Sequence, residues 1–111
     1  MAVSRNEITK DKAMMRITVE QVSDDRTTLR LEGSLGAEWA DLLERECSGH
    51  LHAGVSLTLD LAGVDFVDRL GVETLRRLRR DGVEIRCRSG AVASVLEAEG
   101  VRITFLRGGK R

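Results

Sequence analysis

The sequence is poor in residue types on which several classes of function depend. Its 111 residues include one tryptophan, two phenylalanines and no tyrosine, which are too few aromatic rings to form a platform for stacking nucleic-acid bases. Its two cysteines are too few for a disulfide framework. The formal net charge is zero, so no overall charge points to nucleic acid or a membrane surface as a partner. The composition therefore argues against a nucleic-acid-binding protein.

Long apolar runs are also missing. No segment approaches the length that crosses a bilayer, and the N-terminus lacks the basic and then apolar order of a signal peptide. The chain is 41% hydrophobic and 32% charged, which is typical of a single soluble globular domain. We expect a cytoplasmic protein without direct insertion into a membrane.

Apolar residues at every second position predict five strands, each with one buried and one polar face. These strands fall at residues 17–19, 29–31, 55–59, 83–87 and 101–105. Helical spacing of apolar residues predicts three helices between them. In the first helix, the side chains of Trp39, Leu42, Leu43 and Cys47 are predicted to face inward. The second runs from about 69 to 81, and the third follows Ser89, a good N-cap, with Val92, Val95 and Leu96 inward.

The resulting order, β-β-α-β-α-β-α-β, predicts an α/β domain with a mixed sheet. The first two strands form an antiparallel hairpin, and the others pair in parallel through right-handed crossovers. Because each strand keeps a polar face, the helices are expected on one face of the sheet only. Residues 1–14 are expected to be a mobile lead-in, 15–106 the domain and 107–111 a polar tail.

Two clusters were considered as ligand sites. Cys47, His50 and His52 form a C-x2-H-x-H pattern that offers three metal ligands without an evident fourth. The alternative is that Cys47 packs inward and the histidines are solvated turn residues. The loop at 33–36 has two glycines but lacks the Lys and Ser/Thr of a P-loop, so weak nucleotide binding there and at 68–71 stays open. We expect no metal and no cofactor.

The stretch from Leu57 to Asp68, together with Gly71, resembles the strand-and-loop signature of the STAS family, the domain shared by sulfate transporters and anti-sigma factor antagonists. The resemblance covers roughly 15–106 and is specific at 57–75. It implies that a partner protein docks on the loop before helix two and on the first turns of that helix. It also implies a Ser or Thr after the Asp that a partner kinase phosphorylates. Here Arg69 occupies that position and Leu70 follows, so we expect no phosphorylation at residue 69.

Helix two carries a basic stripe at helical spacing, formed by Arg69, Glu73, Arg76, Arg77 and Arg80. The pattern alone suits a solvated face in which Glu73 pairs with Arg76 or Arg77. The resemblance favours a partner-binding surface. The predicted partner-binding residues are therefore the stripe together with Asp68, Leu70 and Gly71. Asp68 suits the helix N-cap, and Ser34 and Leu35 form a predicted secondary surface.

Three interpretations of Arg69 stay open. It belongs to a constitutive binder whose partner presents acidic groups, it reflects a change to another partner, or it is exposed and neutral to function. No nucleophile-base pair or paired carboxylates stand out, so we expect no enzyme.

The first functional hypothesis is a regulatory module resembling an anti-sigma factor antagonist. It binds a kinase-like anti-sigma factor (a histidine-kinase-like ATPase) or a related signalling partner through helix two and the loop before it. The alternative is a STAS-type accessory subunit of a lipid-transport ABC complex that binds the ATPase subunit. Homodimer formation is left open.

Overall fold

The computed structural model describes residues 9–12, 15–88 and 90–105. Within these residues six strands and three helices follow one another along the chain: β1 Thr9–Lys12, β2 Met15–Ser23, β3 Arg26–Leu35, α1 Ala37–His52, β4 Ser56–Val67, α2 Arg69–Arg80, β5 Glu84–Cys87, α3 Ala91–Ala98 and β6 Thr104–Phe105.

All the strands belong to one sheet, in the order β1-β2-β3-β4-β5-β6. β1, β2 and β3 pair antiparallel, and β3 to β6 pair in parallel. Each parallel connection moves one strand further in the same direction, so right-handed crossovers place α1, α2 and α3 on the same face. The predicted mixed α/β sheet is confirmed.

The structure adds one strand to the predicted order. Thr9–Lys12 pairs with β2, although it lies in the segment that the sequence assigns to the lead-in. Its residues, Thr-Lys-Asp-Lys, have no apolar alternation, so the pattern that reveals the other strands is absent from it. The rest of the lead-in (1–8, 13 and 14) and the tail (107–111) lie outside the described residues.

The core lies between the sheet and the helices. Strands β3 and β4 contribute buried residues at alternate positions, such as Leu29, Leu31, Leu57, Leu59 and Leu61. The helices cover them with Trp39, Leu43 and Cys47 from α1, Val72, Leu75 and Leu78 from α2, and Val92, Ala93 and Leu96 from α3. Burial of this apolar set supplies the main driving force for folding.

The opposite face of the sheet, which we call the open face, is polar. One row across it joins Thr18, Arg30, Asp60 and Arg86 at paired positions, and a second joins Glu20, Thr28, Thr58 and Glu84. The Arg30 guanidinium donates to Glu20 over 3.0 Å, and Arg86 lies 3.3 Å from Glu84. Two arginines of this face are thus paired with glutamates of the same face.

Several element boundaries differ from those predicted. α1 continues to His52, so the two histidines lie in its last turn rather than in a loop. β4 continues to Val67, and beyond Leu61 its buried residues come three apart, because the pairing with β3 shifts register there. α3 begins at Ala91 with Gly90 at the N-cap, and the predicted cap Ser89 lies outside the described residues.

Candidate partner-binding surface

The junction between β4 and α2 is fixed by Asp68. Its carboxylate Oδ1 accepts the main-chain N–H of Gly71 over 2.8 Å, at the N-terminus of α2. Its own main-chain N–H donates to the carbonyl of Leu35 over 3.1 Å. The predicted N-cap is therefore confirmed, and the same residue also ties the start of α2 to the end of β3.

Two glycines let the chain pack closely at this junction. A Cβ at Gly71 would lie 2.6 Å from the Leu35 carbonyl oxygen, so α2 approaches the end of β3 only because no side chain intervenes. A Cβ at Gly36 would lie 3.2 Å from Oδ2 of Asp68. The Asp68 carboxylate thus lies against the N-terminal ends of both α1 and α2, where the helix dipoles favour negative charge.

Beside this buried junction, two apolar side chains and one cation face solvent. Phe66 is 56% exposed and Leu70 is 50% exposed, and the Arg69 side chain is 90% exposed. We call Phe66, Arg69 and Leu70 the junction patch. Phe66 was not among the predicted binding residues. The signal that identifies it is a large aromatic at a position that the alternation from Leu57 assigns to the solvent face.

Two of the four arginines in the predicted basic stripe on α2 are paired with carboxylates outside that helix. The Arg77 guanidinium donates to both carboxylate oxygens of Glu44 on α1, over 2.8 and 2.9 Å. The hydrogen bonds from Arg77 hold the pKa of Glu44 below its usual range. On the other side of α2, Arg76 donates to the main-chain carbonyl of Glu99 over 2.7 Å and lies 3.5 Å from its carboxylate.

These contacts also correct the predicted role of Glu73. Its carboxylate lies 3.9 Å from Arg69, one turn back, whereas Arg76 and Arg77 pair with α3 and α1. Helical spacing shows which residues share a face, but it does not show which residues of other helices lie alongside. Arg80 is exposed and has no ion-pair partner in the described part of the chain.

A cavity of about 440 Å³ lies between α2 and α3, next to the junction patch. We call it the α2–α3 groove. It is lined by Val67, Asp68, Arg69, Val72, Glu73, Arg76, Val95 and Glu99. The fold thus brings four of the predicted binding residues together around one groove, while Arg77 lies on the α1 side of the helix.

The structure places the two residues of the predicted secondary surface, Ser34 and Leu35, differently. Ser34 pairs with Phe66 in the sheet, and its hydroxyl donates to Asp65 over 3.2 Å, so it lies beside the junction patch. Leu35 is fully buried, so its side chain is not part of any surface. It acts through its carbonyl, which accepts the Asp68 N–H.

The C-x2-H-x-H cluster does not converge on a common point. Cys47 is buried in the core, and that burial raises its thiol pKa to about 12. Nδ1 of His52 lies 2.8 Å from the Ser48 carbonyl, on the exposed side of α1. Among the described residues, no three His, Cys, Asp or Glu side chains are arranged to hold a metal ion.

The family to which this fold belongs follows from the sequence. A family model described as "Mlab, STAS domain" matches residues 18–106. The chain belongs to the STAS family. No curated protein matches the sequence. None of the helices in the described part of this STAS protein combines the length and the apolar character that a membrane crossing requires.

Solved structures with the same fold include two anti-sigma factor antagonists. One is from Mycobacterium paratuberculosis, with 20% identity over 78% of this chain and 78% of that chain and a TM-score of 0.68. The other, SpoIIAA in its unphosphorylated form, has 17% identity over 82% of this chain and 88% of that chain, with a TM-score of 0.71. Phosphorylated SpoIIAA from Bacillus, also 17% identical over 82% of this chain and 91% of that chain, has a TM-score of 0.58. At these identities the likeness establishes the fold.

Proposed function

We propose that this STAS protein is a non-enzymatic regulatory module that binds a protein partner through the junction patch and the first turns of α2. It resembles an anti-sigma factor antagonist, and the proposed partner is a kinase-like anti-sigma factor. The observation that carries the proposal is the exposure of Phe66 and Leu70 on either side of Asp68, the N-cap residue of α2. Exposed apolar side chains gathered at one place are typical of protein interaction sites.

The position of the patch supports the proposal further. The family resemblance implies that a partner docks on the loop before α2 and on its first turns. Leu70 lies in the first turn of α2, and Phe66 lies two residues before Asp68, at the end of β4. Arg69 fits this role, because arginine is enriched at interfaces and reaches far from the main chain. Asp68 and Gly71 hold the patch in place through the N-cap and the close approach to β3, so their roles are positional.

We also propose that this binding is not switched by phosphorylation at residue 69. Arg69 has no hydroxyl to accept a phosphate, and the nearby Thr74 is buried. Incubation with a cognate kinase and ATP, followed by intact-mass measurement and peptide mapping, tests this. A phosphate mapped to residues 66–74 contradicts it.

The binding proposal is tested by capture from the native host. The tagged protein is expected to retain a specific partner, identified by mass spectrometry, and Leu70→Asp is expected to weaken that interaction about tenfold or more, as for an interface hot spot. Val22→Asp is a matched control, since Val22 is 48% exposed and lies near the β2–β3 turn, at the other end of the sheet. If Leu70→Asp binds as well as the control, the proposed surface is wrong.

One observation favours a second function, that of an accessory subunit which binds the ATPase of a lipid-transport ABC complex. Arg69 removes the phosphoacceptor, and a constitutive subunit has no need of such a switch. The captured partner separates the two functions. An ABC-type ATPase supports the second, and a histidine-kinase-like ATPase supports the first.

A further inference from the structure

The α2–α3 groove has an apolar floor that remains open to solvent. Val67 and Val72 are buried beneath it, whereas Val95 is 41% exposed at its α3 side. The sequence predicts Val95 to face inward with Val92 and Leu96, but only the latter two are buried. A cavity of about 440 Å³ next to an exposed valine offers space for large apolar side chains from another protein.

The rim of the groove is charged, with three carboxylates (Asp68, Glu73 and Glu99) and two guanidinium groups (Arg69 and Arg76). Formal charges therefore sum to minus one. The two arginines are unequal. Arg76 is anchored by its hydrogen bond of 2.7 Å to a main-chain carbonyl, and the Arg69 side chain is 90% exposed and only 3.9 Å from Glu73.

Glu73 and Glu99 keep unused capacity to accept hydrogen bonds. An ionised carboxylate offers about four acceptor positions. Glu73 has one long contact with Arg69, and the Glu99 carboxylate has one contact of 3.5 Å with Arg76. Both side chains are partly exposed on the rim. A cation that approaches the groove thus meets available acceptors at Glu73 and Glu99, while an anion meets Arg76, which Glu99 already holds, and the highly exposed Arg69.

We propose that the α2–α3 groove binds a basic amphipathic helix of the partner protein, with apolar side chains over Val72 and Val95 and lysines or arginines at Glu73 and Glu99. This inference rests on the proposed function and specifies the chemistry of the partner. An amphipathic helix laid in a groove between helices is a common mode of recognition, and the charge of the rim selects its sign. It reverses the acidic partner that the basic stripe suggests.

The test uses two synthetic helical peptides with the same leucine positions, one with lysine and arginine on its polar face and the other with glutamate. Titration into the ¹⁵N-labelled protein at low salt is followed by amide chemical shifts. The basic peptide is expected to shift resonances of α2 and α3, including Val72, Glu73 and Val95. The inference is overturned if the acidic peptide binds as tightly, if neither peptide shifts these resonances, or if they shift with protein concentration alone, which indicates a second copy.

Charge-reversal variants sharpen the same measurement. Glu73→Lys is expected to weaken the affinity for the basic peptide by about two- to fivefold at low salt, the range for exposed ion pairs. Asp41→Lys makes the same change in charge at a highly exposed site on α1, and is expected to leave affinity within about twofold. If both variants weaken the affinity equally, the effect comes from the overall charge of the protein and the inference is overturned.

The captured partner separates this inference from the proposed function. If Leu70→Asp weakens partner binding and Glu73→Lys leaves it unchanged, the junction patch is the docking surface and the groove inference fails. If Leu70→Asp has no effect on partner binding, the junction patch is not the binding surface and the proposed function is contradicted.

Discussion

The open face of the sheet and the end of the domain that carries the junction patch are both exposed, but their exposed side chains differ in kind. On the open face, Arg30 pairs with Glu20 and Arg86 with Glu84, at 3.0 and 3.3 Å. At the junction, Phe66 and Leu70 are exposed beside a carboxylate that caps α2. Charged side chains that pair with one another in water need no partner protein. Covering exposed apolar area with a partner, in contrast, lowers the free energy of the complex.

The same comparison applies to the arginines of α2. Arg76 pairs with Glu99 at the end of α3, and Arg77 pairs with Glu44 on α1. Like Arg30 and Arg86 on the open face, they are already paired within the protein. The junction patch has one arginine and two apolar residues. Exposure of apolar groups separates the two regions better than charge does.

The largest effect is expected from Gly71→Ala, which would break the junction. The new Cβ would lie 2.6 Å from the Leu35 carbonyl oxygen and 3.0 Å from Cγ1 of Val67. Such overpacking costs typically about 1–3 kcal/mol, and the upper part of that range is expected because the atom met at 2.6 Å is a main-chain oxygen that no side-chain movement relieves. Less the roughly 1 kcal/mol that alanine gains over glycine in a helix, a net loss of about 2 kcal/mol is expected. Denaturant unfolding measures the change.

Gly49→Ala in α1 is the matched control for Gly71→Ala. A Cβ there meets nothing within 4 Å, so only the helix-propensity gain remains and the free energy of unfolding is expected to rise. If both glycine variants are stabilised, the close approach of α2 to β3 is wrong.

The next largest effect is expected from Asp68→Ala. Loss of the Oδ1 bond to the Gly71 N–H removes the N-cap of α2, which costs about 0.5–2 kcal/mol. Asp65→Ala is the control, because Asp65 is exposed and bonds only to the Ser34 hydroxyl among the described residues. Chemical unfolding of the two variants compares them, and equal losses of stability would show that capping does not distinguish Asp68.

Most of the fold could be predicted because its signals are local. Apolar alternation over three to five residues identifies the strands, and the Asp68 N-cap and Gly71 come within one short motif. The contacts that define the surface depend on tertiary structure. Arg77 meets Glu44 across 33 residues and Arg76 meets Glu99 across 23, and helical spacing contains no information on either.

Val64 and Val95 show the same limit for apolar residues. Continued from Leu57, the alternation places Phe66 on the solvent face correctly, but it also places the buried Val64 there, because the pairing with β3 shifts register beyond Leu61. Val95 has the helical spacing of a core residue, but α3 leaves it open on the groove.

A pH dependence is expected from the pair of Glu44 and Arg77. Hydrogen bonds from Arg77 lower the pKa of Glu44 below its ordinary value of 4.5 in the folded protein. The stabilisation is therefore present above pH 4.5 and is lost as the pH falls through the lower folded-state pKa, where Glu44 takes up a proton. The difference in unfolding free energy between the native protein and Glu44→Gln is expected to shrink as the pH falls below 4.5.

Asp41→Asn is the control for that pH dependence. Asp41 lies 3.9 Å from Arg45, and both side chains are highly exposed, so the substitution is expected to leave the profile nearly unchanged. A difference for Glu44→Gln that stays constant through the acid range would show that the interaction does not depend on the charge of Glu44.

The smallest effect is expected on the open face, and it completes the comparison. Arg30→Gln removes a guanidinium that pairs with Glu20 on the neighbouring strand, but both side chains are partly exposed and water can replace the lost contact. Surface substitutions of this kind change stability by about 0.5 kcal/mol or less. Partner binding is expected to be unchanged, because the Arg30 charge is already paired with Glu20 and lies outside the junction patch. If Arg30→Gln weakens binding of the captured partner as much as Leu70→Asp does, both surfaces take part in binding. Paired charges would then not distinguish a surface that binds no partner.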